Sequence, residues 1–351
     1  MFSLKQKDFL EKLVSVPSPS GFEEKCTEVF CDYCDKFAKK VYTDKIGNVV
    51  YSIGNGKKRV LLSGHIDELS MQVISIEDSG KLVVYPNSID KKVLPGSKVL
   101  VESSKGWLTG IIGKKPIHAE SRSDRDKANE ISDMLIDLGY SSKEDAVKDG
   151  IRVGSYVVYD KNSINLSFGK SCMVAPGLDD KLGVFVSVLI AEELLSYEDD
   201  SWKEDYEILI ASTTQEEVGL RGATVLASNI KPDISIDFDV TPSSDFGVEV
   251  KEWGDIKVGD GAVIEWGVDK SRRICSLIQK VSKDKDIKLQ YTVGRPGGTN
   301  TDVIQLFGGD CETTHIALPV RNLHTPVEVC SWEDTESAIN LVVELIKERL
   351  L

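Results

Sequence analysis

Two kinds of apolar pattern alternate along most of this chain. Residues 59–67, 208–219 and 234–241 each contain large apolar residues followed by acids, and the first of these segments also contains a histidine. Apolar runs of this length are typical of strands that are buried on both faces of a parallel sheet. Residues 4–16 and 184–195 instead have the length and apolar content of helices. The pattern therefore predicts an α/β fold, in which functional groups lie beyond the carboxyl ends of the strands.

The pattern changes between about residue 71 and residue 163, where short apolar runs are separated by glycines and charged turns. We interpret this stretch as a small β module inserted into the catalytic fold. A charged run at 120–127 predicts an exposed loop, and the spacing near 129–138 predicts an amphipathic helix. The predicted division is a catalytic domain made of residues 1–70 and 164–351, with residues 71–163 as the insert.

Acids and histidines follow several of the predicted strands. Glu216 and Glu217 are adjacent, so one carboxylate can bind a metal ion while the other faces the water that the ion activates. His65 and Asp67 have the spacing that places both on one face of a strand, where Asp67 can hold the imidazole in position. Taken singly, each pair is also compatible with a solvated turn or with a hydrogen-bonded core histidine.

Further acids occur at the start of a predicted helix and at the end of a third strand. Asp179 and Asp180 precede an apolar helix, where one acid explains capping and a second can bridge two cations. Asp237 and Asp239 share a strand face, and burial requires that at least one of them meets a cation or strong donors.

Together these positions form a set suited to two divalent metal ions. The set combines histidines with carboxylates and leaves one further carboxylate, Glu216, unliganded as a base. Its expected ligands are His65, Asp179, Glu217, Asp239 and His324. Three protein groups for each ion leave room for a shared water, which is the open arrangement of a catalytic site. His315, inside an apolar run, is expected to lie in the core or to contact a metal ligand from behind.

Composition restricts the partners and the compartment. Acids outnumber Lys and Arg by 57 to 43, and the net charge of −14 argues against binding to nucleic acid or to an anionic membrane. No apolar run is long enough for a membrane span, and the first residues do not have the pattern of a signal peptide. Seven cysteines, an odd number, favour a reducing compartment, so we expect a cytoplasmic protein.

The motifs, taken in order, closely resemble those of the tetrahedral-assembly dinuclear metallo-aminopeptidases. This family includes glutamyl and deblocking aminopeptidases, and some members have been labelled endoglucanase M. The resemblance covers nearly the whole chain. It depends mainly on GHIDE at 64–68, LDDKLG at 178–183, TQEEVGLRGA at 214–223 and LPVRNLHTPVE at 318–328.

The resemblance implies a mixed-sheet α/β/α zinc-peptidase domain with an inserted β-barrel-like domain. It also divides the ligands between two ions, zinc or cobalt. His65 and Asp239 would complete one site, Glu217 and His324 the other, and Asp179 would bridge them. Asp180 remains the alternative bridge.

The resemblance further implies hydrolysis of an N-terminal peptide bond, with Glu216 as general base and Asp67 orienting His65. A glycine-rich loop at 294–302 is expected to approach the substrate through Gly298, Thr299 and Arg295. Acidic first residues and aromatic or aliphatic ones are both open. The expected partners are a peptide substrate and further copies of the chain, from a dimer up to a dodecamer.

Two other activities are compatible with parts of this set. A metal-dependent deacylase or amidase acting on small N-acyl substrates would use the same ligands. A glycoside hydrolase needs two carboxylates in a sugar-binding cleft rich in exposed aromatics. The chain has only five Trp, and the histidines would have no function in that reaction.

Overall fold

The computed structural model describes residues 2–87, 89–119, 134–294 and 298–351. The strands are β1 Lys39–Thr43, β2 Val49–Gly54, β3 Lys58–His65, β4 Ser70–Ile76, β5 Leu82–Asn87, β6 Lys98–Ser103, β7 Gly106–Ile112, β8 Ile136–Asp137, β9 Tyr156–Tyr159, β10 Asn165–Phe168, β11 Cys172–Ala175, β12 Tyr206–Thr213, β13 Ile234–Pro242, β14 Ala262–Trp266, β15 Leu289–Val293, β16 Glu312–Val320 and β17 Glu328–Ser331. The helices are α1 Leu4–Ser15, α2 Glu24–Cys34, α3 Lys143–Lys148, α4 Leu178–Ser196, α5 Trp202–Asp205, α6 Arg221–Ile230, α7 Val250–Trp253, α8 Arg272–Asp284, α9 Asn300–Phe307 and α10 Trp332–Lys347.

The main sheet is mixed and, within the described residues, has eight strands in the order β1-β2-β12-β3-β13-β16-β14-β15. Its four central strands, β12, β3, β13 and β16, are mutually parallel. The carboxyl ends of these strands therefore lie at the same end of the sheet. The sequence predicts most of the candidate acids and histidines at that end.

Helices cover both faces of this sheet. Val60 and Leu62 of β3 pack into the large core that includes residues of α1, α2, α4, α8 and α10. Leu61, between them, faces the opposite way and packs with α6 and Ile304 of α9. This alternation with a period of two is expected for a strand buried on both faces. The predicted α/β/α arrangement is confirmed.

The strands β4 to β9 form a closed barrel in the order β4-β5-β8-β7-β6-β9, with a hydrophobic core of its own. The expected insert is thus barrel-like. The helix predicted near 129–138 is wrong in its described part, because Ile136 and Asp137 form β8, which pairs with β5 and β7. Burial of Met134 and Ile136 in the barrel core explains the apolar spacing that resembled a helix. Residues 120–127 lie outside the described residues.

A smaller antiparallel sheet has the strand order β10-β11-β17. In the chain, β10 and β11 follow the barrel, whereas β17 directly precedes the last helix. It brings the segment before α4 next to the segment that follows β16, since β11 pairs with β17. In the described part of the chain, no helix is long and apolar enough to cross a membrane.

Candidate active site and metal centre

His65 is the last residue of β3, where the strand passes unusually close to α4. A Cβ on Gly64 would lie 2.5 Å from the backbone nitrogen of Val184, so only glycine fits at this position. The backbone N–H of His65 donates to Asp180 Oδ2 at 3.1 Å, and Nδ1 lies 3.1 Å from the backbone oxygen of Asp67. These contacts fix the imidazole with Nε2 facing the carboxyl end of the sheet.

Asp179 lies between two imidazoles. Its Oδ1 is 3.1 Å from Nε2 of His65, and its Oδ2 is 3.1 Å from Nε2 of His324. Burial raises the pKa of Asp179, but the hydrogen bonds to the two histidines outweigh burial and hold the pKa below its usual range. A carboxylate that offers one oxygen to each side is suited to bridging two cations.

Two groups of side chains meet at Asp179. The first comprises His65, Asp179 and Asp239, and the second comprises Asp179, Glu217 and His324. Within each group, one potential ligand atom per residue lies within 4.8 Å of the others. The two groups together contain the five side chains that the sequence analysis predicts as ligands. Asp179 belongs to both groups.

Asp180 occupies a different environment, although its peptide bond to Asp179 is cis. Its two oxygens accept the backbone N–H groups of His65 and Gly183, at 3.1 and 2.9 Å. Because both oxygens are engaged in the packing of β3 against α4, the geometry favours Asp179 over Asp180 as the shared acid.

Glu216 and Glu217 do not continue the strand, since β12 ends at Thr213 and the two acids lie in the loop before α6. Asp67 holds this loop: its Oδ1 accepts the N–H of Glu216 at 3.0 Å and its Oδ2 accepts the N–H of Glu217 at 3.2 Å. Asp67 is itself beyond the end of β3, and its carboxylate is 3.4 Å from Nδ1 of His65. Its shorter contacts are with the loop that carries both glutamates.

The acids of the two groups are buried, and this changes their ionisation. Burial raises the pKa of Glu216 to about 7 and raises the pKa of Glu217 and Asp239 well above the usual range, with the nearby Asp179 charge adding to each shift. Glu217 Oε1 is buried without a hydrogen-bond partner among the described residues. Buried carboxylates without sufficient donors are costly, and a divalent cation removes that cost. The donor set, imidazole nitrogens with carboxylate oxygens, fits zinc or cobalt.

A cavity of about 580 Å³ opens over these side chains. His65, Glu216 and Asp239 line it together with Gly298 and Thr299, two of the three residues predicted to bind the substrate. Its walls also include the apolar residues Leu220, Val240, Pro242 and Leu323. Arg295, the third residue predicted to bind substrate, lies outside the described residues.

His315 and Asp237 lie near the same edge but outside both groups. His315 is buried in β16, as predicted, and its Nδ1 is 3.0 Å from Glu265 Oε2. Asp237 Oδ1 accepts from Ser63 Oγ at 2.6 Å and from Asn300 Nδ2 at 3.2 Å. The seven cysteines are all free.

Sequence reasoning missed three polar residues that support the site. Ser20 donates to Asp67 Oδ2 at 2.7 Å. Glu68 is buried and pairs with Lys161 and Lys181. Glu328 is buried and accepts backbone N–H groups from the segments of two proposed ligands. Glu68 and Glu328 fall within the motifs quoted above. Their contacts with Lys161, Lys181 and Asp179 join segments that are distant in the chain, and no local pattern indicates them.

Comparison with known proteins decides the family. Residues 47–341 match the model of the M42 glutamyl aminopeptidase family. The chain belongs to this family. A lysyl aminopeptidase of Pyrococcus furiosus is 28% identical over 348 residues, which cover 97% of this chain and 96% of that relative.

Solved structures of similar proteins agree with membership of the M42 family. The TET aminopeptidase of a marine sediment Thaumarchaeota archaeon has a TM-score of 0.92 and 30% identity, over 98% of this chain and 97% of that chain. The Pyrococcus horikoshii TET1 peptidase, described as assembling into a tetrahedron or a large octahedral shell, has a TM-score of 0.84 and 28% identity, over 97% and 99% of the two chains. The predicted fold and family are confirmed.

The M42 family establishes the activity as that of a metal-dependent aminopeptidase, as the motifs predicted. The deacylase and glycoside hydrolase alternatives gain no support from these similarities.

Proposed function

We propose that this aminopeptidase uses two divalent ions, zinc or cobalt, held on either side of Asp179. His65 and Asp239 would complete one site, and Glu217 and His324 the other. The observation that carries the proposal is that two three-residue groups of ligand atoms share one carboxylate, with an oxygen directed to each imidazole. A bridging carboxylate of this kind is common to two-metal hydrolytic sites.

When bound, the ions supply Lewis-acid polarisation of the substrate carbonyl and lower the pKa of water. Glu216 then acts through its own carboxylate, which takes the proton of the attacking water and returns it to the departing amine. Glu216 lines the cavity and belongs to neither ligand group, so its carboxylate is free for this exchange. Asp67 accepts the backbone N–H groups of Glu216 and Glu217 and so holds the loop that carries the Glu216 carboxylate.

The cavity over the site would receive the N-terminal residue of a peptide. Gly298 and Thr299 line it beside Glu216, which supports their predicted role in binding the substrate. Arg295 would act from the same loop. Leu220, Val240 and Leu323 provide an apolar wall that accepts an aliphatic or aromatic side chain, whereas an acidic side chain would depend on Arg295.

The same proposal covers the organisation of the chain. Residues 1–70 and 164–351 would form the catalytic domain, and residues 71–163 an inserted domain used in oligomerisation. We propose a homo-oligomer, from a dimer up to the twelve-subunit assembly that the family resemblance implies. The tetrahedral assembly of the similar TET1 peptidase supports this proposal. Seven free cysteines support a cytoplasmic location.

Metal analysis of the purified protein, combined with a panel of aminoacyl-nitroanilides, tests the proposal. We expect two ions per chain, and activity that is lost on chelation and restored by zinc or cobalt. Blocked N-acetyl versions of the same substrates serve as the control and should not be cleaved. Activity on blocked substrates only, or chelator-resistant activity, would contradict the proposal.

A further inference from the structure

Glu328 is the first residue of β17 and is almost completely buried, with 2% of its surface exposed. It lies opposite Ala175 in the pairing of β17 with β11, so its side chain is close to the start of α4. It also lines a small cavity together with Asp179, Glu217 and His324, the second ligand group. Glu328 is therefore adjacent to the proposed metal centre without belonging to either group.

The Glu328 carboxylate joins two separate segments of the chain. Its Oε2 accepts the backbone N–H of Asp179 at 3.2 Å, and its Oε1 accepts the backbone N–H of His324 at 3.0 Å. These two residues are the ones whose side chains meet at 3.1 Å. A single buried side chain thus fixes the backbone on both sides of that contact.

The backbone at His324 needs such a restraint. Its φ of 63° lies in the left-handed region, which residues other than glycine adopt only when the surroundings impose it. Asn322, two residues earlier, has a φ of 58°, so the loop after β16 contains two such positions. The hydrogen bond to Glu328 Oε1 connects the backbone at His324 directly to the first residue of β17.

We propose that Glu328 is a positioning residue, which holds Asp179 and His324 in the geometry that binds the metal ions. The inference rests on the proposed function, because it assumes that these two side chains are ligands. Residues that orient metal ligands in this way contribute strongly to affinity, and their replacement commonly weakens metal binding by about 10- to 100-fold.

The substitution Glu328→Gln is a sharp test because it preserves shape. A glutamine has one acceptor oxygen, and its NH₂ group would face the second backbone N–H, so one of the two hydrogen bonds must be lost. Glu328→Asp provides a second variant, since it keeps the carboxyl group but is too short to reach both N–H groups.

Asp334 offers a matched control elsewhere in the molecule. It is buried in α10, and its two oxygens accept the backbone N–H groups of Gly259 and Gly261 at 2.8 and 2.7 Å. Asp334→Asn therefore removes the same kind of interaction without touching a proposed ligand.

The experiment titrates chelator-stripped full-length protein with zinc and with cobalt, and measures kcat and KM at saturating metal. We expect Glu328→Gln and Glu328→Asp to bind the ions about 10- to 100-fold more weakly. Their kcat should recover largely when metal is saturating, with KM for the substrate unchanged. Asp334→Asn should lower thermal stability and leave metal affinity as in the wild type.

Several results would overturn the assignment. Wild-type metal affinity in both Glu328 variants would show a purely structural role. Complete loss of one ion, with the other bound normally, would make Glu328 a ligand. If neither Glu328 variant folds while the metal-free wild type does, the residue serves the fold instead of the ligands. A wild type that binds neither zinc nor cobalt would be a failure of the proposed function itself.

Discussion

Each oxygen of Asp179 faces a different histidine, and this arrangement determines how charge is distributed in the site. Four carboxylates, those of Asp179, Glu216, Glu217 and Asp239, converge on two imidazoles. The histidines compensate Asp179, whose pKa is low, but not the other three acids, whose pKa values are raised by burial. Divalent cations would supply the missing positive charge, and the unliganded acid would remain as the base.

Replacement of Glu216 by glutamine tests that division of roles. We expect Glu216→Gln to retain both ions, because this residue is in neither ligand group, and to lose about 10²- to 10⁴-fold in kcat through loss of the proton acceptor. Metal content and nitroanilide kinetics measured on one preparation check both parts. Near-normal turnover would remove Glu216 from the mechanism, and loss of metal would make it a ligand.

Glu23 should make the stability of the fold depend on pH. Its Oε1 accepts the N–H groups of Gly21 and Gln215, and burial raises its pKa from 4.5 to about 7. The folded state therefore keeps a proton that the unfolded state loses above pH 4.5. The resulting stability is fully present below that pH and is lost as the pH rises to about 7, by up to about 3 kcal/mol.

Glu23→Gln should remove this part of the pH dependence, since the amide oxygen can accept the same two N–H groups without titrating. Denaturant unfolding between pH 4.5 and 7.5 provides the measurement. Glu24→Gln, which alters an exposed neighbour, should leave the fall in place. An equal fall in Glu23→Gln and in the wild type would show that Glu23 is not the group responsible.

At the scale of elements, the apolar runs were sufficient to predict the central strands and the edge where their acids collect. The apolar runs did not predict the conformation of the loops that follow those strands. Asp67 and Glu216 both lie in loops beyond β3 and β12, and their contact depends on hydrogen bonds between segments about 150 residues apart. The role of Ser20 was missed for the same reason, because its partner Asp67 is in a different element.

The close approach of β3 to α4 can be tested at Gly64. A Cβ there would be 2.5 Å from the Val184 nitrogen and 2.8 Å from Asp180 Oδ2. We expect Gly64→Ala to lower the free energy of unfolding by about 1–3 kcal/mol, because the helix must move away from the strand. Gly294→Ala is the control: its nearest neighbour would be 3.8 Å away, and the change should stay within about 0.5 kcal/mol. Equal unfolding energies for both variants would contradict this packing argument.

At the scale of the whole molecule, the sequence predicted an α/β fold with an inserted β module because each part has its own hydrophobic periodicity, and the family resemblance added the α/β/α layering. The helix expected near 129–138 was wrong in its described part. The apolar residues of a short strand in a closed barrel have a spacing that is hard to distinguish from that of one helical turn. Motifs identified the five proposed ligands, but only the fold shows that Asp179 is common to two groups and that Asp180 is engaged elsewhere.

Metal removal should destabilise the entire chain, because the carboxylates of the site would be left buried without cations. Each ion present at about 1,000 times its dissociation constant stabilises by about 4 kcal/mol. Two ions therefore give about 8 kcal/mol, which for a protein of this length corresponds to a Tm higher by about 8–16 °C. Calorimetry with excess chelator, and with the same chelator presaturated with zinc, measures this difference. Identical Tm values would mean that no ion supports the folded state.

Crystals of the zinc-loaded protein offer the most direct test of the central claim, through anomalous diffraction recorded on both sides of the zinc edge. The account predicts two peaks flanking Asp179, one about 2.0–2.2 Å from ligand atoms of His65 and Asp239, the other at similar distances from Glu217 and His324. A single peak, or peaks that do not share Asp179, would contradict it.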